Sequence, residues 1–313
     1  MPHYTKSHGL GNDYIVIDPK DIPFELTPDA VRLICDRNRG VGSDGILVVS
    51  PGDGADFGLR ILNPDGSEAE KSGNGVRIFA KFLREHGYTD KDRFTLHTLG
   101  GRVTCMLEHE DGRIGQITVD MGTARFDPLQ SIDVDGRTFD VTFVSVGNPH
   151  CVIVVPDLTR IDIHALGPKI ENHPAFPNRT NVQFAQVMSR SEVRILIWER
   201  GAGYTLASGS SSCAVVAACH RKGLTGRDVT VTMPGGRLRI SIAADGEIRM
   251  RGPVEEICTG DLSPDLLRHL GALKATNGSF NYELPAGTSL TDYKSVVVWC
   301  RAFTVLFTWA DLR

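Results

Sequence analysis

Two stretches of this sequence, far apart in the chain, follow one design. In "AEKSGNGVRIFAKFL" (69 to 83) a polar cluster, Ser72-Gly73-Asn74-Gly75, runs straight into an apolar segment at helical spacing. In "LASGSSSCAVVAAC" (206 to 219) Ser208-Gly209-Ser210-Ser211 leads into small apolar residues in the same way. Each pattern reads as a helix whose N-terminus opens on a Ser-Gly pair. The order around them is also similar: short strands, a Ser-Gly mouth with its helix, then a closing set of strands. This reads as internal duplication of an α+β lobe, with the boundary near residues 118 to 125. The expected domains are 1–120 (N-terminal lobe), 121–275 (C-terminal lobe) and 276–313, an extension without an assigned role. A ligand pocket in such a protein belongs between the lobes.

The first turn of a helix leaves its N–H groups unpaired, and the macrodipole places partial positive charge there. Gly73, Gly75 and Gly209 let a bound group approach the backbone without interference from Cβ. Such a mouth favours a carboxylate or phosphate. Two facing mouths would hold one carboxylate and delocalise charge developing on its α-carbon. Simple N-capping by serine explains either mouth alone, and both readings stay open at this point. Neither mouth completes a dinucleotide fingerprint or a P-loop, and "RGVGSDG" (39 to 45) reads as a turn.

The surrounding strands are short and punctuated by Gly, Asp and Pro. "YIVID", "GILVV", "FGLRILN" and "RFTLHT" are β-rich runs, and "RVTCMLE" with "QITVDMG" forms a hairpin around "HEDGRIG". The second half restarts with "VTFVSVGNPHCVIVV", "NVQFAQV", "EVRILIWERG", "VTVTMPGG" and "RLRISI". Helices are expected at 28–37, 74–87, 210–222 and 264–270.

At 313 residues, with 41% hydrophobic and 23% charged residues, the composition is that of a soluble globular protein. A net charge of -4 without a basic block argues against nucleic acid as a partner. The seven cysteines include no CxxC pair, and no secretory signal precedes "MPHYTKSHGL", so a reduced cytoplasmic setting is expected. Disulfides, a structural zinc, any other metal and a cofactor are not indicated. The C-terminal "YKSVVVWCRAFTVLFTWADLR" is apolar and aromatic, but Lys294 and Arg301 leave no run long enough for a membrane span. It reads as an extra core or interface element, or as a membrane-surface tail. A small-molecule ligand is the expected partner, and a homodimer is left open.

"SHGLGNDYIVID", "GVGSDGILV", "NPDGSEAEKSGNGVRIFAKFL", "VGNPHCVIV", "NRTNVQFAQV" and "WERGAGYTLASGSSSCA" follow the order of the diaminopimelate epimerase family. "MRGPVEEICTGDL" resembles its closing strand, and the likeness covers roughly residues 3 to 262. The resemblance implies an α+β fold of two pseudo-symmetric lobes with the active site between them. It also implies a pyridoxal-independent epimerase in which two cysteines face each other across the substrate α-carbon, one removing the proton and the other returning it. Those cysteine positions fall on Ser72 and Ser208. Asn12, Asn63, Asn148, Asn181, Glu199 and Arg200 match the family's substrate contacts. The mouths themselves add Gly73, Asn74, Gly209 and Ser210, and His150 matches a histidine near the reacting centre.

Serine at both positions changes the chemistry. A thiol ionises near about 8.5, and an alcohol is about five or more units less acidic; at about 1.36 kcal/mol per unit, forming the alkoxide costs roughly 7 kcal/mol more. A serine therefore moves a proton only when another base relieves it. His150 is the candidate partner of Ser72 and Glu199 that of Ser208, with Lys71 beside Ser72 as a third candidate or as a solvated side chain. Cys213, Cys219 and Cys151 read as buried small residues. Tyr204 and Gly45 stand at positions where the family often carries other residues. Arg200 suits a carboxylate and Glu199 an ammonium, which favours an amino acid with a second polar end. The alternatives are isomerisation or dehydration of a more acidic substrate, and binding without turnover.

Overall fold

The structure, a computed structural model, describes residues 3–267, 295–300 and 305–311. They belong to two units, Met1–Leu267 and Arg268–Arg313. Five helices lie in the first unit: α1 (Pro28–Cys35), α2 (Gly73–Glu85), α3 (Ile163–Glu171), α4 (Gly209–Arg221) and the single turn α5 (Pro264–Leu267). Its strands form one mixed, hydrogen-bonded sheet system of eighteen strands, with a separate two-stranded ribbon at 131–140. The fold is α+β, as the alternation of short strands with few helices implies.

Local sequence explains most of these elements. The hairpin Gly101–Glu110/Arg113–Thr123 turns on Asp111 and Gly112, at φ 51° and 74°. Positive φ at both central residues is what a two-residue turn matched to strand twist requires, and Asp-Gly supplies it. Helix α1 starts on Thr27, whose hydroxyl accepts from the Ala30 N–H, with Pro28 in the first turn. Helix α3 was not among the expected helices because Gly167 and Pro168 interrupt its sequence. A Cβ at Gly167 would lie 2.6 Å from the Trp198 ring, so the glycine lets α3 lie close against the strand Glu192–Glu199.

Helices α2 and α4 occupy the centre. Val76, Ile78, Phe79 and Leu83 of α2 are buried, and the helix packs on the strands His3–Gly9, Asn12–Ile17 and the hairpin just described. Every residue of α4 except His220 and Arg221 is buried, an all-round burial that its small residues Cys213, Ala214, Ala217 and Ala218 make compatible with close strands. The largest apolar cluster includes both helices, so the two halves share one core. A second cluster lies under α3, and a third under α1, where Val31 and Ile34 meet Ile15, Ile17 and Ile46.

The halves are joined by strand pairing as well. Glu247–Gly252 pairs antiparallel with Arg113–Thr123, from Glu247↔Thr123 to Gly252↔Ile117. The closing strand Glu255–Asp261 then returns to the chain's first strand, with His3↔Asp261 and His8↔Glu255 in register. In the second unit Ser295–Cys300 and Val305–Asp311 form an antiparallel hairpin. The expected helix end at 268–270 lies outside the described residues. Among the described residues no helix is long and apolar enough to cross a membrane.

Candidate active site

The two Ser-Gly helix starts meet. A Cβ at Gly73 would stand 3.2 Å from Gly209 Cα, and one at Gly209 would stand 3.1 Å from Gly73 Cα. Met250 lies against both, so that the same Cβ atoms would fall 2.8 Å from its Cε and 2.5 Å from its Sδ. Only glycine permits this approach. Both serines cap their helices: Ser72 Oγ accepts from the Gly75 N–H at 3.0 Å, and Ser208 Oγ from the Ser211 N–H at 3.4 Å. Capping leaves the first N–H groups of each helix, on Gly73 and Asn74 and on Gly209 and Ser210, without an acceptor inside it. Capping and anion binding are therefore compatible at both mouths, and the positive ends of two helices converge.

The serines differ in their neighbours. Ser72 Oγ stands 3.1 Å from the phenol oxygen of Tyr14, which is buried on the strand Asn12–Ile17. Burial raises the Tyr14 phenol well above its ordinary range; the Ser72 hydrogen bond opposes the rise, and the charges of Glu199, Asp44 and Asp13 reinforce it. Ser208 instead faces Glu199 at the end of the strand Glu192–Glu199. Burial raises the Glu199 carboxyl, and hydrogen bonding with Ser208 draws it part of the way back. Ser72 thus has a phenol at hydrogen-bond distance, while Ser208 Oγ lies 3.5 Å from Ser210 Oγ and has the Glu199 carboxyl as its acidic neighbour.

The expected partnership of His150 with Ser72 is not formed. His150 is fully buried on the strand Pro149–Val154, with Nε2 2.9 Å from Asn148 Oδ1 and Nδ1 3.1 Å from the amide nitrogen of Gln183. Both ring nitrogens are occupied, and burial pushes the imidazole down to about 3. It is a neutral ring that orients Asn148, whose Nδ2 lies 3.5 Å from Ser210 Oγ. Lys71 is half-buried and does not turn to Ser72: its Nζ donates to the Met121 carbonyl at 2.9 Å, and burial lowers its pKa.

A chain of amides runs beneath the first mouth. Asn12 Nδ2 donates to Asp44 at 2.8 Å, and Asn12 Oδ1 accepts from Asn74 Nδ2 at 3.0 Å. The same Asn74 nitrogen lies 3.2 Å from the Ala207 carbonyl, next to Ser208. Asn181 accepts from the Arg200 N–H at 3.0 Å and donates to the Pro149 carbonyl at 2.8 Å, fixing the Arg200 backbone beside Asn148. Arg200 and Asn148 border a cavity of about 650 Å³ that Phe143, Phe176 and Arg179 also line. Asn63 holds its own turn instead, donating to Ser67 Oγ at 3.0 Å. Tyr204 is exposed and packs on the His164 ring with centroids 5.0 Å apart. Burial pushes the Cys213 thiol up to about 12 and that of Cys219 up to about 11, and Cys151 is buried as well.

Sequence reasoning did not single out Tyr14, Gln183 or Arg77. Tyr14 sits in a run read only as a strand, although it shares a strand face with Asn12, a residue matched to the substrate contacts, and with Val16. Arg77 carries no sequence signal beyond a charge inside an apolar helix.

The diaminopimelate epimerase family model matches residues 4–126 and 142–257. This chain belongs to the diaminopimelate epimerase family. A relative from Nostoc sp. named diaminopimelate epimerase 2 is 45% identical over 274 residues, covering 84% of this chain and 96% of the relative. Diaminopimelate epimerase of Pelotomaculum thermopropionicum is 43% identical over 275 residues, covering 83% and 98%. Among solved structures, a probable proline racemase from Agrobacterium radiobacter with bound carbonate aligns at a TM-score of 0.69 and 16% identity, covering 86% of this chain and 94% of that one. It shows the same fold. A second family model, described as electron transfer, matches residues 259–312. Membership of the epimerase family makes the protein an isomerase of the epimerase and racemase class.

Proposed function

We propose that the protein is a pyridoxal-independent amino-acid epimerase that moves an α-proton between Ser72 and Ser208. The observation that carries this reading is the contact of Gly73 with Gly209, which brings two helix N-termini and their capping serines to one point. A carboxylate held there takes hydrogen bonds from both helices, and charge developing on the α-carbon is delocalised into it. Glu199 relieves Ser208 of its proton, which makes the alcohol a competent base. Arg200 and Asn148 beside the cavity suit the second polar end of the substrate, so diaminopimelate is the first candidate. The two halves act as lobes around this point, divided near residues 118 to 125. Five buried free cysteines accord with a reducing, cytoplasmic setting.

Proton NMR in D₂O with LL- and meso-diaminopimelate and a panel of polar amino acids tests the reading. Loss of an α-proton signal supports it and names the substrate. Exchange by Ser72→Cys/Ser208→Cys alone would show that the pocket is intact and that serine has disabled ordinary epimerisation. The serine pair itself favours a second reading, a proton shift in a substrate with a more acidic C–H, and absence of exchange by either protein moves the function there.

A further inference from the structure

We infer that Tyr14 is the proton partner of Ser72, so that the Ser72 face of the site delivers the proton and the Ser208 face removes it. The inference deepens the proposed function and rests on it. Ser72 Oγ accepts from the Gly75 N–H at 3.0 Å and lies 3.1 Å from Tyr14 Oη. The phenol is buried, and burial, reinforced by the charges of Glu199, Asp44 and Asp13, keeps it protonated at neutral pH. Either hydroxyl can donate across this contact, and in the inferred arrangement Tyr14 donates. A hydroxyl has one proton and two acceptor sites. With both acceptor sites of Ser72 filled, its own proton is left for the substrate.

The chemistry at the two serines is then complementary. At the Ser208 face, Oγ takes the α-proton while Glu199 takes the proton of Oγ, and the electron pair of the broken C–H bond passes into the substrate carboxylate. At the Ser72 face that pair forms a new C–H bond with the Ser72 proton. The O–H electrons stay on Oγ, which takes the Tyr14 proton, and the phenolate regains a proton from water. The second transfer passes a proton from a phenol to an alkoxide, and burial of the phenol narrows the difference in acidity between them. His150 does not compete for this role, since both its ring nitrogens are engaged.

Gly45 makes room for the arrangement. A Cβ there would lie 2.8 Å from Tyr14 Cε1 and 2.5 Å from the Leu62 carbonyl, so the glycine is what lets the ring reach Ser72.

Tyr14→Phe keeps the ring and removes the proton. The expected result is a fall in kcat of about ten- to a hundred-fold with KM within about two-fold. In the Ser72→Cys background the loss is at least about ten-fold smaller, because a thiol ionises without help. Equal loss in both backgrounds, or no loss in either, overturns the inference. A second measurement needs no turnover: the thiol introduced by Ser72→Cys, followed by thiolate absorbance, titrates at lower pH than in Ser72→Cys/Tyr14→Phe. Identical titration removes Tyr14 as its partner. If no substrate exchanges at all, the epimerase reading falls, while the thiol titration still decides the Tyr14–Ser72 coupling.

Discussion

Arg77 Nη2 donates to Asn74 Oδ1 at 2.8 Å, and that one bond orients the amide bridging the two helix mouths. With its oxygen held by Arg77, Asn74 turns its nitrogen to Asn12 and to the Ala207 carbonyl. Arg77 is wholly buried, its Nε has no partner, and burial lowers the guanidinium to about 10. Its charge is linked through two amides, Asn74 and Asn12, to the carboxylate of Asp44. Arg77→Met strands Asn74 Oδ1, which costs about 1–3 kcal/mol. We expect a lower urea midpoint and weaker carboxylate binding, with Arg77→Lys falling between. Unchanged ligand affinity in Arg77→Met would show that Asn74 holds its orientation without the guanidinium.

Gly209→Ala tests the contact between mouths. Its Cβ meets Met250 Sδ and Gly73 Cα, and overpacking of this kind costs about 1–3 kcal/mol. The same displacement separates the two sets of N–H groups, so affinity for a carboxylate ligand falls further than stability does. Calorimetric titration beside thermal melts distinguishes the two effects.

His150 gives the fold a pH dependence. In the folded chain it stays neutral down to about 3, whereas an unfolded histidine takes up a proton near about 6.5. The unfolded state therefore binds more protons between these values, and stability rises with pH there by up to about 1.4 kcal/mol per pH unit. The contribution is complete above about pH 6.5 and is lost as acid approaches pH 3. Urea midpoints of the unmodified protein and of His150→Gln, compared from pH 7 to 4, are expected to show the steeper slope only in the former.

Lys71→Met removes a half-buried ammonium whose hydrogen-bond acceptor is the Met121 carbonyl and not Ser72. The exchange rate is expected to change by less than about three-fold, since losing a carbonyl contact is worth about 1 kcal/mol and touches no reacting atom. A hundred-fold loss measured by α-proton exchange would return Lys71 to the chemistry.

What the sequence made legible depended on local signals. Ser72 and Ser208 were readable as helix starts because capping and glycine act within a few residues. Glu199 was reached through family resemblance as a substrate contact, and hydrogen bonding with Ser208 opposes the rise that burial gives its carboxyl. His150 was misassigned to Ser72 because its partner Gln183 is brought by a strand pairing that no local pattern records. Tyr14 escaped notice for the same reason, since its value lies in a contact across 58 positions. Helix α3 was hidden by Gly167 and Pro168, which weaken a helix in isolation but fit one packed on Trp198.

The pairing of the first strand with Glu255–Asp261 has a consequence for how the chain is made. During synthesis the strand His3–Gly9 emerges from the ribosome long before its neighbour exists, and one of its edges stays open until the last strand of the unit has been translated. Closure over so long a loop is slow. The nascent N-terminal half is therefore the stage at which this protein is most exposed to wrong strand partners, and emergence of Glu255–Asp261 is the event that seals it.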